Sequence, residues 1–267
     1  MTSALRSEAL AALREDRAHA AILFDLDGTL APIAAQPSDA RVPEPTRHLL
    51  IAVARRYPVV ACVTGRRASE ARAMVSIGTI TYLGTHGAEL LRAGWTEAVL
   101  DPTLAEWARR IHEFGYEHDT QEVHRRRVRL EDKGAIVAFH WRGAPDETAA
   151  REAVDAIAAD AEEAGLRTHW GRKVLEVRPP VRFDKGAAIA SFLRDTDVQV
   201  ALYVGDDVTD LDAFRSLCDL VEEGRLSRAV RVGVSSDEGP EEITAEADVV
   251  VEGTSGVREL LELLVAG

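Results

Sequence analysis

The sequence predicts an α/β protein: a doubly wound parallel sheet with a smaller α+β unit inserted into it. Two observations predict this. Toward both ends of the chain, apolar runs rich in Val, Ile and Leu alternate with helical patterns, as strands covered on both faces of a parallel sheet require. In the middle the order changes to helix, strand, strand, helix, strand, strand, the pattern of a separate layer with hairpin pairing.

Residues 1–20 carry an amphipathic helical pattern that lacks the long apolar stretch of a signal peptide. Residues 21–25 read as the first strand, 44–56 as a helix and 59–63 as a strand. A short helix over 69–75 follows, then a strand over 80–83 that runs into Gly84-Thr85-His86-Gly87. Beyond Asp101-Pro102, residues 104–117 read as a helix, 124–131 and 135–141 as strands and 146–165 as a second helix. A hairpin-like pair, 166–170 and 173–177, ends the insert, and residues 181–184 return to the core. There a helix over 186–194, a strand over 199–204, a helix over 210–217 and strands over 229–234 and 248–251 precede a closing helix over 257–265. The expected division is a core of residues 1–102 and 181–267 and an insert of 103–180, with no internal repeat.

Composition bounds the function classes. The chain has 267 residues, 46% apolar and 29% charged, which suits one large or two modest globular domains. A formal net charge of −13 argues against nucleic acid and against an acidic membrane surface as partners. A small anionic substrate is still allowed, because a local cation overrides the global field. Lysine is scarce, with only Lys133, Lys173 and Lys185, so each one is worth placing. Cys62 and Cys218 lie far apart in apolar surroundings and are expected to be buried free thiols. No apolar stretch approaches a membrane span, so cytoplasmic residence is expected, with a monomer as the simplest assembly.

The run AILFDLDGTLAPI raises the first chemical question. Asp25 and Asp27 are two apart at the tip of an apolar strand and would begin on the same face. Their repulsion calls for a cation, a shared proton or a ligand, unless they only cap the turn that follows. Three more polar clusters follow apolar runs or open helices: Thr64-Gly65-Arg66, Lys185-Gly186 and Gly205-Asp206-Asp207-Val208-Thr209-Asp210. In doubly wound sheets ligands sit beyond the carboxyl ends of the strands. The clusters offer carboxylates for a hard cation, a hydroxyl with backbone N–H groups for phosphate oxygens, and a lysine charge. Thr64-Gly65-Arg66 also fits a helix cap, and Asp207 fits capping as well as support of a metal.

The ordered set of four resembles the motifs of haloacid-dehalogenase-superfamily phosphatases, with their Rossmann-like core. That resemblance implies Asp25 as the nucleophile forming an aspartyl phosphate and Asp27 as the acid and base. It implies Mg²⁺ bound by the Asp25 carboxylate, the Asp27 carbonyl and Asp206, with Asp210 and Asp207 holding the metal or its waters from behind. Thr64, the Gly65 N–H and Lys185 would grip the phosphoryl oxygens.

Within the insert, Leu130-Glu131-Asp132-Lys133-Gly134 through Arg142, and Gly171-Arg172-Lys173 through Pro179, are similar to trehalose-6-phosphate phosphatases. Gly84-Thr85-His86-Gly87-Ala88-Glu89 shares that similarity, which spans about residues 20 to 255. The insert would then be the substrate-selecting cap. A disaccharide offers hydroxyls, best read by carboxylates and ammonium groups, so Glu131, Lys133 and Glu176 are its candidate ligands. Their alternative is a cross-strand ion-pair ladder. His86, Arg142 and His140 stand evenly between sugar contact and structural roles, and His124-Arg125-Arg126-Arg127 reads as a solvated strand end.

The implied reaction is hydrolysis of trehalose 6-phosphate. Sucrose, glucosylglycerol or mannosylglycerate phosphates are the rival substrates, and a silent sugar-phosphate sensor or synthase partner is the non-enzymatic alternative. Two departures from the family pattern occur, Thr64 for the usual Ser and Leu211 for a common Glu.

Overall fold

The computed structural model describes residues 10–34, 39–181, 183–236 and 239–266. It divides into two compact units, one made of residues up to 99 and from 183 onward, the other of residues 100–182.

The first unit is built on a sheet with strand order β12-β11-β10-β1-β2-β3-β4-β5. Its strands are β1 (Ala20–Phe24), β2 (Val59–Val63), β3 (Thr81–Gly84), β4 (Glu89–Leu91), β5 (Val99–Leu100), β10 (Val200–Gly205), β11 (Arg228–Ser235) and β12 (Val249–Glu252). From β12 to β3 all neighbours run parallel, and β4 joins β3 antiparallel. From β1 the chain builds outward through β2 and β3, and later from β10 outward through β11 and β12. The order therefore reverses at β1.

Side-chain alternation sends each central strand into two cores. Ile22, Phe24, Cys62, Leu202 and Val204 face one side, with α1 (residues 10–15), α2 (Glu44–Ala54), α3 (Ala68–Val75) and α10 (Gly253–Ala266). Ala21, Leu23, Val63, Ala201 and Tyr203 face the other, with α7 (Lys185–Arg194), α8 (Val208–Glu222) and α9 (Glu241–Glu246). Both cysteines are free thiols, Cys62 buried and Cys218 half-buried. No helix among the described residues is long and apolar enough to cross a membrane.

The second unit is an antiparallel sheet in the order β6-β7-β9-β8, from β6 (Arg129–Asp132), β7 (Val137–His140), β8 (Arg167–Gly171) and β9 (Val174–Arg178). Val137, Phe139, Leu175 and Val177 form a core with Ile111 and Phe114 of α4 (Pro102–His118) and Val154, Ile157 and Ala161 of α6 (Glu147–Glu163).

Several expectations are corrected. The run expected as a strand over 124–131 begins as a helix, α5 (Gln121–Arg125), and only Arg129–Asp132 is extended. Thr120 Oγ1 caps that helix by accepting from the Val123 N–H at 3.4 Å, and Arg127 turns the chain at φ +60°. Val123 and Val128 both reach the core this way, which a strand alternating between faces would not allow at a spacing of five. His124 and Arg126 are thus helix-end residues paired with Asp119 at 2.6 Å and Glu122 at 2.9 Å, not a solvated strand end. The helix expected over 210–217 runs from Val208 to Glu222, and β4, β5 and α9 carry too few periodic residues to be seen in sequence. Of the N-terminal helical pattern, residues 1–9 lie outside the described residues.

Phe139 is fully buried in the second unit's core. Phe139→Ala is expected to cost about 3–5 kcal/mol of stability, read from urea unfolding of the whole chain.

Candidate active site

Phe24 lies opposite Val204 on β10 and Cys62 on β2. The residues that follow these strands, Asp25, Thr64 and Asp206, therefore emerge side by side where the strand order reverses, the usual ligand position in such sheets.

The turn after Asp25 requires glycine. Gly28 has φ +85°, and a Cβ there would fall 1.9 Å from Asp206 Oδ2. Its N–H donates to the Ala31 carbonyl at 2.8 Å, and Thr29 Oγ1 donates to Asp206 Oδ1 at 3.0 Å.

Asp25, Asp206 and Asp210 are buried, and each offers an oxygen within 4.8 Å of the others. Lys185, itself 3% exposed, donates from Nζ to Asp25 Oδ1 at 2.6 Å and to Asp210 Oδ1 at 2.7 Å. A close helix contact makes this reach possible: a Cβ on Gly186 would fall 2.2 Å from the Asp212 carbonyl oxygen on α8. Asp210 Oδ1 also accepts from the Tyr203 hydroxyl at 2.5 Å, and Oδ2 from the N–H groups of Asp206 at 2.9 Å and Asp207 at 3.0 Å. Four donors use up the capacity of one carboxylate. Asp210 is thus spent on holding Lys185 and the Asp206 loop, while Asp25 and Asp206 keep oxygens for an ion.

The electrostatics agree. Burial raises the Asp25 carboxyl well above its ordinary range against the pull of Lys185, and Asp210 and Asp206 add repulsion. Burial, then Asp210, pushes Asp206 up to about 7. Burial by itself would lower Lys185, but Asp210 and Asp25 outweigh it and keep the ammonium charged. Three buried carboxylates share one ammonium, so the cluster has the charge and the all-oxygen donors that suit Mg²⁺.

Thr64 is buried, with its N–H on the Leu83 carbonyl and its own carbonyl accepting from the His86 N–H, both at 2.9 Å. The His86 ring lies against Gly65, where a Cβ would stand 2.8 Å from it. His86 is thereby brought to the Thr64-Gly65 loop. Asp207 caps α8, accepting from the Val208 N–H at 2.8 Å in a capping box with Asp210. Leu211, where a Glu is common, is 5% exposed and packs in the second core.

Asp27 does not join the carboxylate cluster. It makes a two-pronged pair with Arg66, Nε to Oδ2 and Nη2 to Oδ1, both 2.6 Å. Arg66 and Glu89 enter the sequence reading only as members of their motif runs, without roles of their own, and Tyr203 does not enter it; Glu89 accepts from the Ala68 N–H at 2.8 Å at the start of α3. Arg66 had a signal, the third place of Thr-Gly-Arg. Tyr203 had none, being one more apolar-facing residue of a strand.

In the second unit, strand register puts Glu131, Ala138 and Glu176 in one row, with His140 and Arg178 on the same helix-free face. Lys133 Nζ lies 3.1 Å from Glu176 Oε1 and 3.8 Å from Glu131 Oε2. His140 bonds Glu131 at 2.7 Å, and Arg178 donates to Glu176 Oε2 at 2.5 Å. The His140 bond and Lys133 lower the Glu131 carboxyl against burial. Arg142 stands outside this network and donates to the Arg172 carbonyl at 3.2 Å.

Residues 23–249 match the family model described as Trehalose-phosphatase. The chain belongs to the trehalose-phosphatase family. A trehalose-phosphate phosphatase of Mycobacterium avium is 35% identical over 211 residues, 73% of this chain and 51% of that protein. The chain spans about half the length of such relatives. The fold is similar to the C-terminal domain of a C. albicans trehalose-6-phosphate phosphatase, at TM-score 0.73 and 19% identity over 98% of this chain and 97% of that one. A haloacid dehalogenase-like hydrolase of Bacteroides thetaiotaomicron aligns at TM-score 0.64 and 13% identity over 92% of this chain and 98% of the other.

The raised Asp206 carboxyl has a thermodynamic consequence. Between its ordinary value of 3.8 and about 7 the folded chain holds a proton that the unfolded chain gives up, so this group's share of stability falls as pH rises through that window. Asp206→Asn is expected to raise the Tm of the metal-free protein at pH 7.5, remove this part of the pH slope and abolish the Tm increase on adding Mg²⁺. Thermal unfolding with and without the ion checks all three.

Proposed function

We propose that the chain is a Mg²⁺-dependent phosphomonoester hydrolase that converts trehalose 6-phosphate to trehalose and phosphate. One observation carries this reading: Lys185, anchored by Asp210, meets Asp25 at the carboxyl end of β1, beside the Thr64-Gly65 loop. That arrangement supports Asp25 as the nucleophile, next to donors for phosphate oxygens.

In the first step an Asp25 oxygen bonds to phosphorus as the bond to the sugar oxygen breaks, and Asp27 gives that oxygen a proton. The Thr64 hydroxyl, the Gly65 N–H and the Lys185 ammonium offset charge on the remaining phosphoryl oxygens. In the second step water attacks the aspartyl phosphate while Asp27 takes its proton, and phosphate leaves with Asp25 restored. Asp25, Asp206 and the Asp27 carbonyl would hold Mg²⁺, whose charge would let an ionised Asp25 meet a phosphate dianion. Asp210 and Asp207 hold the Asp206 loop that presents this ligand.

Glu131, Lys133 and Glu176 are assigned to the sugar hydroxyls, and His86 to the leaving sugar. Arg142 is assigned to the hairpin of β8 and β9 instead, given its bond to Arg172.

A panel of trehalose 6-phosphate and the sucrose, glucosylglycerol and mannosylglycerate phosphates, each with Mg²⁺ or EDTA, tests the reading. Trehalose 6-phosphate is expected to give the highest kcat/KM, with activity lost on chelation. Faster turnover of another ester would replace the substrate, and binding without turnover would make the chain a sensor. Asp25→Asn is expected to lose at least ~10³-fold in kcat. Glu176→Gln is expected to raise KM for trehalose 6-phosphate roughly tenfold, read from initial rates.

A further inference from the structure

We infer that Arg66 is a positioning residue for proton transfer, holding the Asp27 carboxylate in the orientation from which it serves the leaving group. The inference rests on the phosphatase reading above and assigns a role that the phosphate-binding loop does not need.

The geometry is that of a fork on a carboxylate. Arg66 Nε and Nη2 each donate to a different Asp27 oxygen, both at 2.6 Å, so the guanidinium fixes the plane of the carboxylate as well as its position. Each carboxylate oxygen has two lone pairs, and the fork takes one from each. The remaining lone pairs point away from Arg66 and are the ones left to carry a proton to a sugar oxygen or take it from water. The pair is partly open, with Arg66 20% and Asp27 38% exposed, which a residue that must meet substrate requires.

Both ends of the pair are held by backbone. The Arg66 N–H donates to Thr64 Oγ1 at 3.2 Å, and the Arg66 carbonyl accepts from the Thr85 N–H at 2.7 Å. On the other side Asp27 bridges to Ala31 in the turn closed by Gly28. The fork is therefore presented from a fixed loop to a fixed loop. Asp27, two residues from Asp25, is thus held by Arg66 and is not a member of the buried group of Asp25, Asp206 and Asp210.

The test separates proton delivery from phosphate binding. An alkyl ester such as trehalose 6-phosphate releases an alkoxide that needs a proton, whereas p-nitrophenyl phosphate releases a phenolate that leaves without one. In kcat/KM, which reports the first phosphoryl transfer, Arg66→Gln is expected to lose roughly 10–100-fold on the alkyl ester and far less on the aryl ester. Arg66→Lys, which keeps the charge and loses the fork, is expected to show the same selectivity and also guards against a Gln variant that fails to fold. In an Asp27→Asn background, Arg66→Gln is expected to cost nothing further on the alkyl ester. Equal losses on both esters, no loss on either, or full additivity with Asp27→Asn would overturn the inference. If the wild-type chain cleaves p-nitrophenyl phosphate but not trehalose 6-phosphate, the substrate reading falls, and the same comparison is made with glucose 6-phosphate. A wild-type chain that cleaves no phosphate ester would overturn both.

Discussion

The saturated carboxylate of Asp210 is the constraint on which the rest of the site depends. It binds the Lys185 ammonium, the Tyr203 hydroxyl and the N–H groups of Asp206 and Asp207 at once, and so ties together β10, its following loop, α7 and α8. Lys185 then reaches Asp25 on β1. A buried charge left without partners is expensive, so removing any member of this chain of bonds would leave the others exposed to that penalty. The cluster still holds more negative than positive charge, a surplus that suits a cation.

Close backbone approach is the second requirement, and glycine meets it at two places. Gly28 lets the Asp27 turn pass over the Asp206 carboxylate, and Gly186 lets α7 lie against α8 so that Lys185 is delivered into the cluster. At each place a methyl group would fall far inside the 3.4 Å at which ordinary contact begins, 1.9 Å and 2.2 Å from an oxygen. The glycines of the Asp-Leu-Asp-Gly and Lys-Gly runs are thus explained by space as much as by turn geometry.

The sheet of the second unit separates its duties by face. Alternation gives Val137, Phe139, Leu175 and Val177 to the helices, and gives Glu131, His140, Glu176 and Arg178 to the opposite side. There Glu176, only 8% exposed, is held between Lys133 and Arg178. A carboxylate gripped from both sides has little rotamer freedom left to lose. The same bonds form an ion-pair ladder along this face of the sheet.

By itself, the sequence determined the layered architecture, because the period of apolar residues decides which side of each element is buried. It also determined the chemical inventory: Asp25, Thr64 and Asp206 follow strands whose order collects them, while Lys185 opens a helix and is brought in by the packing of α7 on α8. What only the tertiary structure decided are the pairings between residues far apart in the chain. That Arg66 grips Asp27 across 39 positions, or that Tyr203 ends on Asp210, follows from side-chain reach at one strand end and leaves no trace in periodicity. The helix at Gln121–Arg125 was hidden for a related reason: five residues carry too little periodicity to show a helix, and it is the second unit's core that buries Val123 and Val128 together. Local pattern sets which elements form, while long-range packing sets which atoms meet.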